Sequence, residues 1–125
     1  MSFKEAIRMS VTGTNLSEGY EEVVLDIPVH SLEQYDFSGA DLSEANLSGQ
    51  NLRGANLRNT CLTEADLSGA DLSGAFLIGA NLSETQLNDS ILVDADCRGM
   101  VALVTNFARA RLERANFTGA DLSGS

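Results

Sequence analysis

The chain has 125 residues, a formal net charge of −10, two Cys, one Pro and no Trp. That length supports one domain with one core, and the charge repels nucleic acid while favouring basic partners and solubility. No apolar run approaches the roughly 18 residues of a membrane span and no apolar leader follows Met1, so a cytoplasmic protein with no membrane contact is expected.

Residues 1–30 read as irregular. Ser2 and Glu5 stand at a capping-box spacing around Phe3, Ala6 and Ile7, which predicts a helix of about two turns. Thr12-Gly13-Thr14-Asn15 is turn-rich, and Val23-Val24-Leu25-Asp26-Ile27 before Pro28 predicts a strand. This segment is expected to cap the repeat region downstream of it, because an open solenoid end is both apolar and an unpaired edge. The expected division is a capping segment at 1–30 and a solenoid at 31–125. Ile27 and Leu32 already keep the phase of the solenoid.

From Tyr35 to Gly124 one five-residue unit recurs eighteen times without a slip. Every fifth position gives Phe37, Leu42, Leu47, Leu52, Leu57, Leu62, Leu67, Leu72, Leu77, Leu82, Leu87, Leu92, Cys97, Ala102, Phe107, Leu112, Phe117 and Leu122. These eighteen are the expected core. The place two residues earlier is small, Ala in eleven units, and nine of the eleven Gly close a unit. Five residues advance an α-helix by about 500° and scatter the Leu around its axis. On a flat strand an odd spacing throws successive Leu to opposite faces. The chain must therefore bend once per unit, which the terminal Gly permits. Repeated bends make a solenoid with Leu and Ala directed to its axis.

The tandem Ala-(Asp/Asn)-Leu-x-x unit, as in Ala70-Asp71-Leu72-Ser73-Gly74, resembles the pentapeptide-repeat proteins over about three quarters of the chain. The resemblance implies an all-β fold: a right-handed quadrilateral parallel β-helix, one unit per side, here with a short N-terminal helix and strand as cap. Eighteen units at four per coil make 4.5 coils, a rod roughly 22 Å long.

Departures from the unit are informative. Cys97, Ala102, Phe107 and Leu112 would share a layer, where small neighbours offset the large Phe107. Met100 would fill an inward site beside Ala102. Cys61 faces outward and Cys97 inward, so the two should not meet. At outward positions the apolar exceptions are Phe76 and Ile78, Ile91 and Val93, and Val101, Leu103 and Val104. Folded four units to a coil, Phe76 and Ile78 fall on one side, Ile91 and Val93 on an adjacent side, and Val101 and Leu103 on the other adjacent side one coil later. These three pairs are expected to form one apolar band around a corner, bordered by Arg58, Arg98 and Arg111. Exposed apolar patches with aromatic and Arg content mark interfaces, so Phe76, Ile78, Ile91, Val93, Val101, Leu103 and Arg98 are the candidate protein contacts. A sheltering N-terminal arm is the structural alternative. None of Asp36, Asp41, Asp66, Asp71, Asp96 and Asp121 should stack on another.

Catalytic chemistry has no support in the sequence. His30 has no metal-binding companion, the Ser residues have no nearby base, and phosphate-loop and nine-residue calcium-repeat spacings are missing. No enzyme activity, cofactor or metal is expected. The expected function is a scaffold that binds another protein, through the apolar band or through the C-terminal end. That end carries no visible cap after Leu122, so it either continues in a longer chain or stacks end to end on a second copy. The resemblance implies an alternative, since some pentapeptide-repeat proteins are acidic rods that imitate duplex DNA and occupy DNA gyrase. The net charge agrees with that alternative, while the short rod, the interspersed Arg and the missing dimerisation element oppose it. A third possibility is a spacer domain of a larger chain, as occurs within the family in cyanobacteria.

Overall fold

The structure is a computed structural model that describes residues 31–125. The expected N-terminal helix, the strand at Val23–Ile27, His30 and the capping role of residues 1–30 lie outside the described residues.

Leu67 explains the repeat. Its side chain is fully buried, and so is Ala65 two places earlier, while Asp66 and Ser68 on either side reach the surface. All five N–H groups of the unit Asp66–Ala70 are satisfied. Asp66 donates to Ala45 in the preceding coil at 2.9 Å, and Leu67 and Gly69 donate to Gln86 and Asn88 in the next at 2.8 and 3.0 Å. Ala70 closes a turn onto Leu67 at 3.1 Å, and the Ser68 N–H goes to the Asp66 carboxylate at 2.9 Å. A buried backbone demands such complete pairing, and this unit leaves no N–H orphaned. Gly69, third residue of that turn, sits at φ +67°, the left-handed region in which the chain turns the corner.

Coils stack in register. Fourteen parallel bridges link residues twenty apart, from Asp36 with Asn56 to Val101 with Asp121. Four units therefore complete one coil. Because the chain bends at every unit, each unit contributes a single bridging residue and no longer strand forms. The first side is centred on Phe37, Leu57, Leu77, Cys97 and Phe117, and the second on Leu42, Leu62, Leu82, Ala102 and Leu122. The third is centred on Leu47, Leu67, Leu87 and Phe107, and the fourth on Leu32, Leu52, Leu72, Leu92 and Leu112.

Phe37 through Ala102 in the inward column are buried, with Leu32 at the start and Met100 in its inward place. The last four residues of the expected core differ. Phe107 and Phe117 are half-buried and meet edge to face at 6.5 Å, while Leu112 and Leu122 are each 37% exposed. They point along the axis as their phase requires, but no further coil among the described residues covers them. Thr60, Thr85 and Thr105 take the place of Ala without orphaning a hydroxyl. Each donates to a carbonyl one coil back, that of Phe37, Leu62 and Leu82 respectively, at 2.6–2.9 Å.

Candidate protein-binding surface

The outward second place of a unit has a structural task. In twelve units its Asp or Asn side chain accepts the N–H two residues on, as Asp36 does from Ser38 at 2.9 Å and Asn81 does from Ser83 at 3.0 Å. Six units lack that oxygen at the same place or carry a longer side chain: Cys61, Phe76, Gln86, Ile91, Val101 and Arg111. At Phe76, Ile91 and Val101 the fourth place is apolar as well, namely Ile78, Val93 and Leu103. These three units give up a local hydrogen bond worth about 0.5–1.5 kcal/mol and put aliphatic or aromatic surface in its place.

Phe76 is 36% exposed and Leu103 37%, whereas Ile78, Ile91, Val93 and Val101 are half-buried. Each apolar pair stands alone in its own ladder. Phe76 stacks between Asn56 and Asp96, Ile91 between Asp71 and Arg111, and Val101 between Asn81 and Asp121. The three pairs thus lie on the first, fourth and second sides with polar residues above and below each. Register is the reason: twenty-residue coils place each pair on its own ladder, and no apolar residue follows it in that ladder.

Charge frames the three pairs differently. On the first side the Arg58 guanidinium lies 4.4 Å from the centre of the Phe76 ring, a cation–π arrangement. Arg98 grips Asp96 with two hydrogen bonds of 2.8 and 2.7 Å. Its guanidinium holds the Asp96 carboxyl below the ordinary range. On the fourth side Arg53 reaches Asp71 at 3.1 Å and Arg111 lies 3.4 Å from Glu113. Arg109 and Arg114 bond Asp89 and Asp94 one coil back with pairs of bonds of 2.7–3.2 Å, lowering both carboxyls. No two aspartates of the second places share a bridge. The expected outward and inward cysteines are both free thiols: Cys61 half-buried beside Ser43 and Thr63, Cys97 buried.

Two features go beyond the expectations from sequence. Thr at inward places differs from Ala by a carbonyl-bonded hydroxyl, and a β-branched hydroxyl recurring where Ala is the rule is its signal in the sequence. Val104 differs from the other apolar exceptions in its backbone conformation. It closes its unit at φ +55° and is 67% exposed. Among the described residues no group of three or more His, Cys, Asp or Glu is placed to hold a metal ion, and no helix is long and apolar enough to cross a membrane.

A family model described as pentapeptide repeats matches residues 32–69, 65–99 and 90–125, in eight copies. A pentapeptide-repeat protein (Rfr23) from the cyanobacterium Cyanothece 51142 is 33% identical with a TM-score of 0.64, over 78% of this chain and 62% of that one. This chain thus spans less than two thirds of that protein's length. The pentapeptide-repeat protein alr5209 from Nostoc PCC 7120 is 28% identical with a TM-score of 0.46, over 93% of this chain and 75% of that one. QnrB1, a plasmid-mediated fluoroquinolone resistance protein, is 21% identical with a TM-score of 0.44, over 71% of this chain and 59% of that one. No curated protein matches significantly. The four-sided stack seen here is the right-handed β-helix of such proteins.

Proposed function

The chain belongs to the pentapeptide-repeat family, and on that premise we propose that it is a non-catalytic, cytoplasmic solenoid whose surface binds another protein. The carrying observation is the surrender of the turn bond at Phe76, Ile91 and Val101, each paired with a second apolar residue on the surface. Aromatic, aliphatic and Arg side chains together have the composition of interface hot spots. Residues 1–30 are kept in this reading as the N-terminal cap. The exposed Leu112 and Leu122 support end-to-end pairing with a second copy as a further contact, which sedimentation of the purified chain over a concentration series would test.

The test of the main reading compares wild type with a Phe76→Glu/Leu103→Glu variant in capture from a lysate of the source organism. Both sites are on the surface, so the variant is expected to fold. A partner held by wild type and lost by the folded variant supports the reading, and unchanged capture removes it.

Charge favours one second reading, an acidic rod that occupies DNA gyrase in place of duplex DNA. Its support is the net charge of −10. Six of the aspartates, however, also serve as turn acceptors, a task that Asn performs in six other units. Supercoiling by gyrase that proceeds undisturbed in excess protein would dispose of it.

A further inference from the structure

The corner between the second and third sides carries Glu44, Glu64, Glu84 and Val104 in successive coils, all at φ between +55° and +62°. Backbone steps of about 4.8 Å separate them. Among the described residues Val104 is the only β-branched residue at a unit-closing position, and the left-handed region is strained for such a side chain. It is also 67% exposed, so burial gives little in return. Beside it Val101 has no oxygen to offer the Leu103 N–H, which turns to the Ser83 hydroxyl at 3.3 Å instead. Strain and a displaced hydrogen bond thus coincide at one aliphatic patch.

The charges divide by side. Among the described residues the second side and its corner carry Asp41, Glu44, Glu64, Glu84 and Asp121 and no Lys or Arg. Arg58 and Arg98 lie on the first side, Arg53 and Arg111 on the fourth, and Arg109 and Arg114 on the corners flanking the fourth. Each of these six has a carboxylate or an aromatic ring as its partner. The apolar pair at Phe76 therefore sits among cations already engaged, whereas the patch at Val101–Val104 sits at the end of a carboxylate row with no cation of the described residues on its own side. Stacked like charges repel, and a bound cation would relieve that repulsion.

We propose that the second side and its corner bind a cationic, aliphatic segment of another protein, with Val101, Leu103 and Val104 as the apolar seat and Glu64 and Glu84 receiving its Lys or Arg side chains. This rests on the protein-binding reading and names the side used and the chemistry bound. A second copy is a poor occupant, because an isologous contact would set this acidic side against itself.

The probe is a synthetic peptide of alternating Leu and Lys, with Ser/Lys and Leu/Glu peptides as controls, titrated into the 15N-labelled full chain. The Leu/Lys peptide is expected to shift the amide resonances of Glu84, Val101, Leu103 and Val104, and both controls to bind about ten-fold more weakly. Glu64→Gln/Glu84→Gln is expected to weaken binding and flatten its dependence on salt. Val104→Gly is expected to raise the melting midpoint by relieving the backbone yet to weaken the peptide, a pairing of effects that a purely structural Val would not give. Shifts at Phe76 and Ile78 instead would overturn the choice of side while leaving the protein-binding reading intact. No shift at all, or equal binding of the Leu/Glu control, would overturn the proposal. A lysate partner lost with Phe76→Glu alone and kept with Val104→Gly would do the same, and capture of nothing by wild type would remove the underlying reading.

Discussion

Asp66 accepts both the amide and the hydroxyl of Ser68, and the same local geometry recurs at Asp41, Asp71 and Asp121. These carboxylates thus have a local backbone task besides their charge, one that Asn shares in six other units, so bare net charge is a weak guide to a partner. The two thiols give the sharpest contrast between residues of one type. Burial pushes the Cys61 thiol up, but hydrogen bonds with Ser43 and Thr63 outweigh it and leave the group below its ordinary value. Burial pushes Cys97 up to about 12. Thiolate is the reactive form, so an aromatic disulfide reagent is expected to titrate Cys61 alone in the folded protein and both thiols after unfolding. Rapid reaction of Cys97 in the native state would contradict its place in the column.

The five-residue unit is the element of this fold, and its two faces should respond differently to truncation. Leu72 is fully buried, with the N–H of its residue bonded to Ile91 at 2.6 Å. Leu72→Ala is expected to cost about 2–5 kcal/mol, since stacked coils above and below prevent the cavity from collapsing. Ser73→Ala removes only a half-exposed hydroxyl bond to Asp71 and keeps the backbone one, so a cost within about 1 kcal/mol is expected. Denaturant melts of both variants settle this, and equal losses would mean that Leu72 does not face the axis. At this scale the sequence was highly legible. A strict period identified Leu and Ala as inward and Gly as the corner, because one backbone hydrogen-bond scheme is reused in every unit.

Across the whole rod, the carboxylates of Asp89, Asp94 and Asp96 lie below their ordinary range, held there chiefly by hydrogen bonds from Arg109, Arg114 and Arg98. Ser38 and Ser123 do the same for Asp36 and Asp121. Groups lowered on folding bind fewer protons in the native state than in the unfolded one. Their contribution is therefore complete above the unfolded value near pH 4, and it is lost as pH falls through the lowered native values. Acidification also relieves the general repulsion of a chain at −10, so the informative measurement is a difference. Asp89→Asn/Asp94→Asn should lose less of its melting temperature between about pH 6 and pH 3 than wild type does. Equal losses would show that these two ties, which fasten the last coil to its neighbour, do not contribute.

The sequence by itself determined the repeat, its phase, the inward column from Leu32 to Ala102 and the outward place of every candidate contact. It could do so because those properties are local: each unit makes the same bends and the same bonds whatever the distant residues are. Only the tertiary structure decided what depends on stacking. It left Leu112 and Leu122 partly exposed, and it set polar residues above and below Phe76, Ile91 and Val101 in their ladders. It also aligned Glu44, Glu64, Glu84 and Val104 along one corner and gathered the Arg residues elsewhere. These are relations between residues twenty apart, and they arise because four units close a coil and bring each ladder back over itself at the spacing of one backbone hydrogen bond.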